Sequence, residues 1–186
     1  VDFAQASGLM NGMTATEFAP NVTTTRAMVA QVLYRLAGSP TVLHIAAIPD
    51  ADPDAWYYNA MLWASCTGIM QGYEDGTYRP NRAITRQEMA TILLRMADVK
   101  LGADMVDAAL AEIADGGSVA SWARAGVAFC YLGGIMNGMD ATHFAPTGML
   151  TRAQLAQVFF NLYNIGMDEV MNSGEDPEPA SSLLAA

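Results

Sequence analysis

Three arginines stand at matching places in this chain, in Thr25-Arg26, Thr85-Arg86 and Thr151-Arg152. Threonine is a common helix N-cap, so each arginine falls in a first helical turn, where a cation opposes the macrodipole by roughly 0.3–1 kcal/mol. With only nine basic residues against nineteen acidic ones, three cations so placed need a cause. Two are open. The guanidinium ties down the preceding loop through carbonyls or a carboxylate such as Asp75, or it joins free helix N–H groups in holding an external carboxylate or phosphate. Gly12, Gly72 and Gly138 each close a Gly-x-x-x-Gly corner, which lets a ligand approach the backbone or simply makes a tight turn. Trp56 and Trp122 sit near helix starts. Aromatics at helical spacing read first as core, but these two are the candidates for a sugar-stacking groove wall.

Other chemistries find no support. His44 and His143 have no nucleophile or paired carboxylate at useful spacing, so no catalytic residues and no enzyme are expected. Cys66 and Cys130, with two distant histidines, make no zinc pattern; they read as small buried thiols, or as a disulfide if the protein is secreted. Asp50, Asp52 and Asp54 alternate as in a calcium loop, but Ala55 and Met61 stand where glycine and a bidentate glutamate are needed. Helix capping by Asp54 or Asp52 is the expectation. No metal and no cofactor follow.

The elements that position the arginines recur. Gly8-Leu9-Met10-Asn11-Gly12, Gly68-Ile69-Met70-Gln71-Gly72 and Gly134-Ile135-Met136-Asn137-Gly138 correspond, as do Pro20, Pro80 and Pro146. All landmarks shift by sixty residues and then by sixty-six, which defines an internal repeat over 1–40, 48–99 and 113–166. Within each, a leading helix turns a corner into a loop, a proline and a second helix. The second helix of repeat one is expected over 26–37, ending at Gly38-Ser39-Pro40. Its apolar stripe is shared: Val29, Met89, Leu155; Leu33, Leu93, Phe159. Thr85-Arg86-Gln87-Glu88 fits a capping box, Gln154 keeps it in repeat three, and Met28 halves it in repeat one. Repeat one lacks the counterpart of Trp56. A short amphipathic helix over 104–113 is expected to cover that gap, and 167–186 reads as a flexible acidic tail or linker.

Composition bounds the rest. Apolar residues at 52% with 15% charged argue for an ordered domain, and no run approaches the ~20 residues of a membrane span. A net charge of −10 opposes nucleic acid. With no signal peptide visible and Val1 in front, the chain is expected to be a mature or cut-down fragment.

The run from Trp56 through Gly72-Tyr73, Asp75-Gly76-Thr77-Tyr78, Pro80 and Ile84-Thr85-Arg86-x-Glu88 resembles the S-layer homology repeat. The resemblance covers 1–166, weakest at the start of repeat one. It implies an all-α fold, with three helix-loop-helix repeats in a pseudo-threefold arrangement around a central helical bundle. It implies too a non-catalytic cell-surface module that anchors a protein to the Gram-positive wall by binding an anionic, often pyruvylated, polysaccharide, with the repeated arginine touching the polymer. The aspartate-glycine turn and the glutamate after threonine-arginine survive only in repeat two, so fewer than three working sites are expected. The alternative is an interaction module, whose incomplete first repeat and adaptable methionines accept a partner helix or a second chain.

Overall fold

The computed structural model describes residues 1–14, 16–42, 47–140 and 142–173, the last seven of these as helical backbone only. Among the described residues seven helices follow in order: α1 (Asp2–Ala6), α2 (Arg26–Leu36), α3 (Tyr58–Cys66), α4 (Arg86–Ala97), α5 (Ala103–Ala111), α6 (Arg124–Leu132) and α7 (Arg152–Ser173). Short 3-10 turns at Gly116–Ser118 and Ser121–Ala123 precede α6. Among the described residues extended chain is confined to isolated bridges, so the fold is all-α.

Each second helix starts where its cap dictates. The Thr85 hydroxyl accepts from the Glu88 amide while the Glu88 carboxylate accepts from the Thr85 amide, a complete box. Gln154 reproduces it at Thr151, and at Thr25 only the Met28 amide bond remains. The shared stripe is the core: Val29, Leu33, Met89, Leu155 and Phe159 are buried in one cluster with α3 and α6 residues such as Met61, Leu62 and Val127. α3 packs on α2 and α6 on α4. Gly126 permits the second crossing, since a Cβ there would lie 2.7 Å from the Thr91 backbone.

The three cap segments also bond to one another. Ile84 N–H donates to Thr24 O (2.9 Å), Leu150 to Ile84 O (3.0 Å) and Thr24 to Leu150 O (2.7 Å), a closed ring of equivalent residues that are all fully buried. Repeat one therefore bonds to two, two to three, and three back to one.

Several expectations need correction. Asp52 accepts from the Asp54 amide in a turn, and α3 starts at Tyr58 with Tyr57 as an N-cap that makes no side-chain cap bond. Asp50 and Asp115, not Asp52 or Asp54, hold backbone: Asp50 takes the Tyr78 and Arg79 amides (2.8 and 2.7 Å) and Asp115 those of Phe144 and Ala145 (2.8 Å each). α5 packs on α6 rather than on repeat one, where instead α1 meets α7 through Phe3 against Phe160 and Tyr163. Both cysteines are free; Cys130 is buried, and burial pushes its thiol far up, but Cys66 at the end of α3 is exposed. α7 runs on to Ser173, so 167–173 is helix rather than tail, whereas 174–186 and His44 lie outside the described residues.

One flaw in the ring is measurable. Thr24 takes the place of Ile84 and Leu150, and its buried hydroxyl has no hydrogen-bond partner among the described residues. Thr24→Val removes that oxygen at nearly constant volume, and urea denaturation is expected to show a gain of about 1 kcal/mol. A loss of stability would mean that the hydroxyl is satisfied.

Candidate functional site

The three arginines do not point at the loops that precede them. Each reaches into the next repeat. Arg26 donates from Nε to Tyr78 O (2.8 Å) and from Nη2 to Gln71 O (2.8 Å). Arg86 does the same to Phe144 O and Asn137 O (2.6 Å each), and Arg152 to Phe18 O (2.9 Å) and Asn11 O (2.6 Å). The six acceptors are equivalent carbonyls of the three corners and loops. Aromatic faces complete the seat: Arg86 lies over Phe144 (4.7 Å), Arg152 over Phe18 (4.6 Å) and Arg26 over Tyr73 (4.9 Å). At 4–5% exposure these are buried cations, and burial pushes all three guanidinium pKa values below their ordinary position.

The helix N–H groups are likewise engaged. Arg26 and Ala27 amides donate to Arg82 O and Pro80 O, Arg86 and Gln87 to Gly148 O and Pro146 O, Arg152 and Ala153 to Val22 O and Pro20 O. Of the two causes left open, the external anion at the free helix N–H groups finds its place taken by carbonyls of a neighbouring repeat. Two charge-assisted bonds, each worth ~1.5–3 kcal/mol, outweigh a dipole penalty of at most about 1 kcal/mol.

Open space remains beside two of these latches. The larger cleft, about 600 Å³, lies between the Met70–Asp75 corner and α4, with Arg26 at its inner end and Trp122 across from it. It unites three predicted residues: Arg26, Gly72 and Trp122. Its acids are largely spoken for, since Asp75 pairs with Arg79 (2.8 Å) and Glu88 with Arg82 (2.6 Å). Burial alone would raise the Glu88 carboxyl, but the Thr85 amide, Arg82 and the Thr85 and Tyr73 hydroxyls outweigh it and hold the pKa below its ordinary value. Arg95 donates to the Gln71 side-chain oxygen (2.9 Å) and has no carboxylate partner among the described residues. Its pKa is lowered by burial and then by the charge of Arg26. Arg26 and Arg95 are thus neighbouring cations in a cleft that Glu74, Asp75 and Glu88 also line.

A smaller cleft of about 220 Å³ lies beside Arg86 at the register-equivalent corner, with Gly138 in its wall and α7 opposite. Trp56 lines neither cleft. Both Trp56 (62%) and Trp122 (55%) are exposed, whereas Trp63 is half-buried against Tyr34 (5.6 Å) and belongs to the core margin. Gly12, Gly72 and Gly138 all face backbone closely: a Cβ would meet carbonyl oxygens at 2.5, 3.0 and 2.5 Å. Sequence reasoning missed Arg95, and it missed Gln87, whose side chain accepts from the Ala120 amide (3.1 Å) and holds the segment carrying Trp122. A cation at the C-terminal turn of α2 and again of α4, Arg35 and Arg95 at one register, was the signal available.

A family model, the S-layer homology domain, matches residues 1–28, 47–90 and 112–156. An amylopullulanase of Thermoanaerobacterium thermosulfurigenes is 34% identical over 155 residues, which cover 83% of this chain and 8% of that protein. The exoglucanase XynX of Acetivibrio thermocellus is 32% identical over the same length, covering 83% of this chain and 14% of its own. A surface-layer 125 kDa protein of Lysinibacillus sphaericus is 32% identical over 113 residues, 59% of this chain and 9% of that one. The chain thus spans a small fraction of the length of the curated relatives it matches.

The latch is testable without any ligand. Arg86→Lys keeps the charge but cannot span two carbonyls with one fork. Chemical denaturation is expected to show a loss of about 2–4 kcal/mol. A stability within about 0.5 kcal/mol of the parent would show that the bidentate seat contributes little.

Proposed function

The chain belongs to the S-layer homology domain family, and on that premise we propose that it anchors a cell-surface protein to the Gram-positive cell wall by holding an acidic wall polysaccharide in clefts between repeats. The module is non-catalytic, and residues 1–166 act as one unit with the repeats set about a pseudo-threefold axis. The closed ring of cap-segment hydrogen bonds supports that symmetry.

The observation that carries the binding reading is the larger cleft. Arg95 faces it with no ion-pair partner among the described residues, beside the latched Arg26 and an exposed Glu74, and the exposed Trp122 offers an apolar face for a sugar ring. An acidic substituent such as a pyruvyl carboxylate docks on Arg95, in the field of the latched Arg26, while the ring stacks on the indole. Gly72 lines the cleft and lets the corner fold closely against Thr77, which shapes that wall. The latch arginines Arg86 and Arg152, with Gly138 and Gly12, shape the equivalent corners. Arg35 and Trp56 stand at the register of Arg95 and Trp122, against α2 and α3. Two weak sites on one polymer reinforce each other through effective concentration.

Arg95 separates binding from folding, because it is half-buried and makes one side-chain bond. Arg95→Gln is expected to lower affinity for a pyruvylated wall saccharide by about tenfold, to flatten its salt dependence, and to leave the melting temperature unchanged. Calorimetric titration showing parental affinity in this variant would sink the acidic seat.

A further inference from the structure

The two clefts are register-equivalent but chemically opposite. Where the larger one has Tyr73, Glu88, Thr91 and Arg95, the smaller has Met139, Gln154, Gln157 and Asn161. Arg86 is the one charged residue lining the smaller cleft among those described, and its Nε and Nη2 are committed to Phe144 O and Asn137 O. An acid placed there would lose hydration and meet only a latched guanidinium, because Asn161 stands where the larger cleft has Arg95.

We propose that the cleft beside Arg86 takes a neutral acetamido sugar, so that one polymer is read at an acidic residue by the larger cleft and at an N-acetylated residue by the smaller; this rests on the wall-polysaccharide reading above. The floor is apolar, with Ile135, Met136 and Val158 at 2–4% exposure, and suits a methyl group. Amides form the rim. Gln157 Nε2 donates to Asn161 Oδ1 (2.7 Å) and Asn161 Nδ2 to Ile135 O (3.0 Å). That leaves the Gln157 carbonyl oxygen to accept an acetamido N–H, and a second N–H on each amide to donate to its carbonyl. Gln154 is fixed for this role by its cap bond to the Thr151 amide (3.0 Å), with its amide nitrogen on Met139 Sδ (3.1 Å). A volume near 220 Å³ suits a single sugar residue rather than a chain.

The test uses the full chain with labelled side-chain amides and indoles, titrated with N-acetylglucosamine, glucose and a pyruvylated hexosamine. N-acetylglucosamine is expected to shift the Gln157 and Asn161 amide signals with a Kd on the order of 1 mM, equally at low and high salt, and glucose to leave them still. Asn161→Arg supplies the swap. Arg35 already makes the corresponding bond to Leu9 O (3.2 Å), so the variant keeps a structural precedent. It is expected to weaken N-acetylglucosamine by about fivefold or more and to bring salt-sensitive shifts from the acidic sugar to this cleft. Equal shifts from glucose, unchanged affinity in Asn161→Arg, or acidic-sugar shifts at Gln157 in the parent would each overturn the proposal. The Trp122 indole reads the acidic seat separately, so loss of its response to the pyruvylated sugar would strike that reading and not this one.

Discussion

A guanidinium that bridges two carbonyls of its neighbour is the interaction on which this fold depends. Arg26 ties repeat one to repeat two, Arg86 ties two to three, and Arg152 ties three to one. Each arginine is buried, so each would be costly if its acceptors were lost. The backbone bonds from the first turn of each second helix run along the same seam. Helix start, inter-repeat contact and corner geometry are therefore one structural event, repeated three times.

The seam carries strain where the carbonyls are presented. Ala19, Arg79 and Ala145, each just before a proline, hold φ of 54, 48 and 55°. A left-handed non-glycine residue costs ~1–3 kcal/mol, so something must over-determine it. In repeats two and three that something is visible: Asp50 and Asp115 clamp the two amides around the strained residue. The strained turn delivers one carbonyl to the arginine and the proline carbonyl to the next helix amide. The corner that results is also the wall of the clefts, which links the stabilising seam to the proposed binding surface.

The repeat, the caps and the apolar stripes were legible because they obey local rules: threonine three residues before glutamate or glutamine, and a period near 3.6. The half-cap at Met28 and the full one at Glu88 followed from residue type alone. The destination of the arginines was not legible, because their acceptors lie 45 to 141 positions away and are backbone, which carries no side-chain signature. Asp50 and Asp115 were missed for the same reason, acting across 28 to 30 residues. The exposure of Cys66 and of both tryptophans depends on which neighbour covers a helix start. α7 outran its expected end because glycine at Gly166 costs a helix only about 1 kcal/mol and no proline follows at once. For the site, Gly72, Arg26 and Trp122 converge as a set, whereas Arg95 emerges only once the cleft has walls.

Arg26, Arg86 and Arg152 close the ring, whereas Arg95 is the arginine proposed to meet the ligand. Guanidinium-detected NMR of the chain, free and with a pyruvylated wall saccharide, tests that division directly. The Nε–H signals of Arg86 and Arg152 are predicted to exchange slowly with water and to stay in place on binding, while the Arg95 signal shifts. Rapid exchange at Arg86 and Arg152 in the free protein, with both moving on titration and Arg95 silent, would contradict it.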